Sequence, residues 1–108
     1  MNSDNERLLS MIGMSKRAGK LVAGFDTVTE GVRTGSIACV FYASDVSPKT
    51  IKELAYICNQ ENAATVPVPV TMDEIKRITA RRAGIFAVTD AGLRRKINEM
   101  TRSDGGKI

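Results

Sequence analysis

Apolar residues recur along this chain first at helical spacing and then in short blocks, and the two patterns go on alternating to its end. Ser3-Asp4-Asn5-Glu6 has the S-x-x-E form of a capping box, and Leu8, Leu9, Met11 and Ile12 behind it predict a first helix to about Lys16. Leu21 to Ala23 reads as a short strand between glycines. Phe25, Val28 and Val32 share one face of a second helix, which Gly35 ends as a C-terminal cap and in which Gly31 marks close packing against a sheet. Ala38-Cys39-Val40-Phe41-Tyr42-Ala43 is nearly continuous in apolar residues and predicts a central strand covered on both faces.

Ser47-Pro48 then starts a helix, an N-cap followed by proline at the first helical position, with Ile51, Leu54, Ala55 and Cys58 as its buried stripe. Val66-Pro67-Val68-Pro69-Val70 alternates, but prolines cannot donate to a ladder, so this strand belongs at a sheet edge. Thr71-Met72-Asp73-Glu74 is a second capping box and opens a short helix with Ile75 and Ile78 inward. The loop from Thr79 to Gly84 carries Arg81 and Arg82 into a strand at Ile85 to Val88, and Thr89-Asp90 caps a last helix packed by Leu93, Ile97 and Met100. Residues 1–101 form one domain by this reading, with 102–108 a flexible tail. Alternating helices and short strands imply an α/β class, a three-layer α/β/α sandwich with a small mixed sheet.

Composition narrows the function more than the fold. At 108 residues and 43% hydrophobic content the chain is one ordinary domain. Sixteen Lys and Arg against twelve Asp and Glu give +4, an excess that permits a nucleic-acid partner without demanding one. Placement says more: Lys16, Arg17 and Lys20 form one cluster, Lys76, Arg77, Arg81 and Arg82 a second, and Arg94, Arg95 and Lys96 a third, while positions 36–75 are net acidic. A fold that gathers the clusters would make one basic face, although Arg94, Arg95 and Lys96 are most simply the solvated face of the last helix. The lack of a leader-like start or a long apolar run points to a soluble cytoplasmic protein away from membranes. Cys39 and Cys58 sit in apolar patterns and read as reduced core residues, and the chain has no histidine. That absence removes Ser-His and Cys-His nucleophiles and histidine metal centres.

The stretch from Lys16 to Gly35 is the richest in candidate chemistry. A basic glycine loop, a very short strand and a second glycine turn precede a helix start, whose free N–H groups and positive dipole end suit an anion such as phosphate. The plainer alternative is a helix-to-strand connection with solvated cations. A P-loop is excluded, because five residues rather than four separate Gly13 from Gly19-Lys20, Leu21 stands where Ser or Thr is needed, and the preceding segment is helical. The acids and nucleophiles available, Asp45, Asp90, Cys39 and Cys58, show no spacing that sets a base beside a nucleophile, so an enzyme ranks last. Asp45 with Ser44 and Ser47 reads as turn chemistry.

Taken in order, M-I-G-M-S-K-R-A-G-K-L-V-A-G, A-C-V-F-Y-A-S-D-V-S-P-K-T and I-F-A-V-T-D resemble the ribosomal L-seven-Ae/L-thirty-e superfamily, nearest its small bacterial YlxQ-like branch, over roughly residues 7–97. The resemblance implies an α/β/α fold and a non-enzymatic, ribosome-associated RNA-binding protein that uses no cofactor, metal or small-molecule substrate. The best-known members bind kink-turn RNA by laying the start of the second helix into its widened groove. It further implies that Gly24, Phe25, Asp26 and Thr27 occupy the RNA-reading turn. Lys16, Arg17 and Lys20 would lie near phosphates, and the loop from Thr79 through Ala80, Arg81 and Arg82 to Gly84 would cover an extruded nucleotide.

The chain departs from that pattern at the turn. The archaeal-type motif is Gly-x-Asn-Glu-Val-x-Lys, and here it is Gly24-Phe25-Asp26-Thr27-Val28-Thr29-Glu30. Ionised Asp26 accepts but cannot donate, Thr27 shortens a carboxylate, and Glu30 reverses a charge near phosphate. Thr27-x-x-Glu30 would be a capping box if the helix began that late. Lys76 stands where the family often has glycine, and the loop lacks a clear apolar cap. Both outcomes stay open at this point: retained kink-turn reading, or a protein-interaction module of the same fold that meets a partner through the acidic middle, Asp45 to Glu61. For Phe25, stacking on a base and core packing with Val28 are the two alternatives, and periodicity favours the core.

Overall fold

The computed structural model describes residues 3–105, and side chains from Asn5 to Thr101. Five helices alternate with four strands among these residues: α1 (Ser3–Arg17), β1 (Leu21–Ala23), α2 (Phe25–Thr34), β2 (Cys39–Tyr42), α3 (Pro48–Gln60), β3 (Ala64–Pro67), α4 (Met72–Thr79), β4 (Ile85–Val88) and α5 (Ala91–Gly105). The sheet order is β1-β4-β2-β3, with β4 antiparallel to both neighbours and β2 parallel to β3. The helices α1, α4 and α5 pack together over one face and α2 with α3 over the other, giving the expected three-layer sandwich.

The two central strands explain why the sandwich closes. Every residue of β4 is buried, as are Cys39, Val40 and Phe41 of β2, and the Phe41 and Phe86 rings stack across the pair with centroids 5.4 Å apart. Leu8, Leu9 and Ile12 from α1, Val28 and Val32 from α2, and Leu54 and Cys58 from α3 complete one continuous core. Both thiols are free, and burial pushes each up from its ordinary pKa; nearby Arg94 pulls Cys39 partly back, while Cys39 adds to the rise at Cys58. No described helix is long and apolar enough to cross a membrane.

Local signals place most element ends. Ser47 accepts from the Thr50 amide with Pro48 behind it, and Asp90 accepts from Leu93 N at 2.9 Å to open α5. At the start of α4 both halves of the capping box form, Glu74 N donating to Thr71 Oγ1 at 3.1 Å and Thr71 N to Glu74 Oε1 at 2.9 Å. Gly35 ends α2 in the left-handed region, φ 86°. Gly31 is needed for close approach, since a β-carbon there would come within 2.4 Å of Ile37, the residue that leads into β2.

One expectation needs correction, and two conditional readings find their conditions unmet. The edge strand is Ala64–Pro67 rather than a run to Val70: it ends at Pro67, and Val68 and Val70 are core residues of the following turn. Thr27 and Glu30 form no capping box, because α2 begins at Phe25 with Gly24 as its N-cap, which puts Thr27 already inside the helix. The three basic clusters do not gather at one end of the sheet. Leu21 pairs with Val88 and Ala23 with Phe86, so the α5 cluster begins at the end of the sheet opposite the Thr79–Gly84 loop. Helix α5 runs to Gly105, past the end expected at residue 101; the capping side chain expected at Ser3 and residues 106–108 lie outside the described residues.

Candidate functional site

One end of the sheet collects the second-helix start and the Thr79–Gly84 loop singled out in the sequence. The carboxyl ends of β1, β2 and β3 and the start of β4 meet there: Gly24 N donates to Ile85 O at 2.9 Å, Ala43 N to Gly84 O at 2.8 Å and Val68 N to Tyr42 O at 2.9 Å. In this topology the starts of α2, α3 and α4 and the loop before β4 all open toward the same side.

Helix α2 starts on Gly24, whose φ of 107° is a conformation L side chains rarely adopt, and no side chain caps it. The first intrahelical bond is Val28 N to Gly24 O at 3.0 Å, so the Phe25, Asp26 and Thr27 amides head the helix unpaired by it. Asp26 and Thr27 are exposed on this first turn, and Phe25 is half-buried with its ring against the core. Thr29 is buried, its hydroxyl donating to Phe25 O at 2.9 Å, which ties the first turn to the second.

The loop after α4 is held in a shape of its own. Ala80 caps the helix with φ 65° and its N–H on Lys76 O at 2.7 Å. Thr79 is buried and its hydroxyl lies 2.9 Å from Ile75 O and 3.3 Å from Arg81 N, so it fastens the backbone of the arginine pair. The consequence is the central contact of the site. Arg81 reaches across to Gly24, its guanidinium nitrogen only 2.9 Å from where a β-carbon on that glycine would stand. Arg82 turns the other way, Nε donating to Asp73 Oδ1 at 2.9 Å with Nη1 near the Met72 sulfur. Between them lies a groove of about 440 Å³, lined by Gly24, Phe25, Val46, Met72, Arg81 and Arg82 among others.

The structure therefore brings Gly24, Phe25, Arg81 and Arg82 together, with Asp26, Thr27 and Ala80 beside them. Lys16, Arg17 and Lys20 are exposed and do not line the groove. Lys20 sits at the far end of β1, where its carbonyl accepts from Thr89 N at 2.8 Å, about 13 Å of extended chain from Gly24. Arg17 folds back over Gly13, which itself meets Ile78 near the end of α4. The acidic middle is divided: Asp45 accepts from Met72 N at 2.9 Å, a second cap on α4, while Glu53 stands with Lys49 and Lys52. The sequence reading named Gly84 only as the end of the loop and missed Val46 and Met72. A β-carbon on Gly84 would come within 2.5 Å of Val46 and 2.9 Å of the Met72 sulfur, a tertiary approach that no local pattern encodes. Among the described residues no group of three or more Cys, Asp or Glu is placed to hold a metal ion.

The chain belongs to the family described as Ribosomal protein L7Ae/L30e/S12e/Gadd45, whose model matches residues 6–93, a span that contains the whole groove. Two curated relatives are called RNA-binding protein YlxQ. The one from Enterococcus faecium is 27% identical over 105 residues, 93% of this chain and 97% of its own; the one from Bacillus subtilis is 29% identical over 92 residues, 81% and 87% of the two chains. A solved structure of a protein with unknown function from Bacillus halodurans C superposes with TM-score 0.77 at 26% identity, over 87% of this chain and 95% of that one. The Giardia lamblia 15.5kD RNA binding protein superposes with TM-score 0.72 over 100% of this chain and 92% of its own, and at 13% identity that likeness is one of fold.

Proposed function

We propose that this chain is a non-enzymatic, ribosome-associated RNA-binding protein that takes structured RNA, of kink-turn type, at the start of α2 and the Thr79–Gly84 loop. The observation that carries the reading is the Arg81 guanidinium lying over Gly24 at the uncapped start of α2. Free amides, a helix dipole and a cation then converge on one point, which is what a backbone phosphate needs. The names of the relatives agree with it. In this reading Asp26 accepts from a base N–H and Thr27 donates or accepts beside it. An extruded base enters the groove against Phe25, Val46 and Met72, so the apolar cap missing from the loop is supplied from other elements. Lys16, Arg17 and Lys20 hold phosphates beyond the groove, and Ala80 shapes the loop.

Binding to a kink-turn RNA and to a straight duplex of equal length, each across a salt series, tests this. The expected result is a kink-turn preference of at least about tenfold, lost on Asp26→Ala or Thr27→Ala, with affinity for both RNAs falling as salt rises. Equal salt-sensitive binding to both would remove the kink-turn reading and leave RNA binding by charge. Failure to bind either would overturn the proposal.

A further inference from the structure

A second groove, about 560 Å³, runs between the outer faces of α2 and α3 and is lined by Phe25, Arg33, Lys49, Lys52, Glu53 and Tyr56 among others. It was not visible from the buried stripe of α3, whose Leu54 and Cys58 point inward and leave Lys52 and Tyr56 on the opposite side. Tyr56 is 66% exposed, one of two large apolar-bodied side chains left so among the described residues. Tyr56 does not stand alone, since Phe25 and Ile57 line the same groove, and an apolar patch rimmed by polar residues marks a binding surface. Around this one stand three cations, Arg33, Lys49 and Lys52, against the single acid Glu53. A protein helix would meet the apolar floor of Phe25, Tyr56 and Ile57 but would have to be acidic to match a rim of three cations to one acid. Unpaired nucleotides want a π-face for a base and cations for the phosphates on either side, and that is the set present.

Position argues the same way. Phe25 lines both grooves, so the two adjoin and a strand leaving the first reaches the second at that ring. Lys49 and Tyr56 are seven residues apart on α3, about 10 Å along its axis, which suits a cation and a stacking ring serving one short run of chain. We propose that the α2–α3 groove holds a single-stranded stretch of RNA, with one base stacked on Tyr56 and its phosphates at Arg33, Lys49 and Lys52. The inference rests on the function proposed above, since it takes the first groove as the seat of the folded RNA whose strand continues here.

The test compares two sets of three RNAs with the full chain: a kink-turn and a straight duplex, each blunt or carrying a single-stranded uridine tail of about six nucleotides at its 5′ or its 3′ end. The expected result is that one of the two tails tightens binding by about five- to tenfold. Tyr56→Ala should abolish that gain while leaving the blunt RNAs unchanged, Tyr56→Phe should keep it, and Lys49→Ala with Lys52→Ala should reduce it. No gain from either tail, or a gain that survives Tyr56→Ala, overturns the inference, and a groove used by a protein partner would give the first of these. Failure of the first-groove reading is told apart by the blunt pair alone: equal affinity for kink-turn and duplex sinks kink-turn recognition, while a Tyr56-dependent tail gain on both still upholds the second groove.

Discussion

Gly24 and Ala80 adopt unusual backbone conformations within one site, and their residue types give them opposite margins. At Gly24 the φ of 107° lies where a β-carbon is strained whatever space surrounds it, and the space is already taken by Arg81. Gly24→Ala should therefore lower unfolding stability by about 1–3 kcal/mol and push the guanidinium off the start of α2. At Ala80 the φ of 65° already carries a β-carbon in the left-handed region, so Ala80→Gly should raise stability by about 0.5–1 kcal/mol after the added freedom of the unfolded chain is counted. Denaturant melts of the two variants check the pair; equal shifts of the same sign would mean that backbone strain does not govern this loop. Arg81 sits between them and inherits both constraints, its backbone fixed by Thr79 and its side chain by the missing β-carbon of Gly24.

At the scale of elements, what was legible in the sequence is what local chemistry decides. Ser47-Pro48 and Thr71 to Glu74 could be read because a cap and its amide lie three residues apart. The start of α2 was half legible: Gly24 could be named as a turn, but whether Thr27 or Gly24 capped the helix depended on where Ile85 holds the Gly24 amide, a partner sixty-one positions away. The end of β3 was misread for a similar reason, since Val68 and Val70 are buried by the turn into α4 rather than by a ladder. Helix α4 shows the division within a single element. Its own capping box was plain, whereas the Asp45 carboxylate on Met72 N comes from the end of β2, twenty-seven residues back. The helix carrying the loop of the site is thus held by a local and a distant cap. Thr71→Ala and Asp45→Ala should each cost about 1 kcal/mol. Because both serve the amides of one first turn, the double variant should depart from the sum of the singles by about 0.5 kcal/mol or more in a double-mutant cycle. Additive losses would mean that the two caps hold the helix independently.

For the whole molecule, topology decides which charges can act together, and sequence proximity does not. Lys76, Arg77, Arg81 and Arg82 look like one cluster in the chain, yet Arg77 pairs with Glu6 of α1, Arg82 with Asp73, and Arg81 alone of the three arginines lies on the start of α2. Arg95 and Lys96, exposed on the first turns of α5, stand at the other end of the sheet, because antiparallel β4 carries the chain away from the groove before that helix begins. A protein that held RNA by net charge would not distinguish these positions, since each contributes one unit to the same +4. A protein that holds it at one groove must. Arg81→Ala should lower affinity for a kink-turn RNA by about tenfold and reduce the slope of log affinity against log salt by about 0.7–0.9, the release expected for one phosphate contact. Arg95→Ala with Lys96→Ala removes twice the charge and should change affinity by less than about twofold at moderate salt, where the Debye length is about 10 Å. Fluorescence anisotropy on labelled RNA across a salt series measures both. Equal losses from the two variants would show that charge is read as a field over the whole surface, and the contact between Arg81 and Gly24 would then be a packing detail rather than the place where RNA is held.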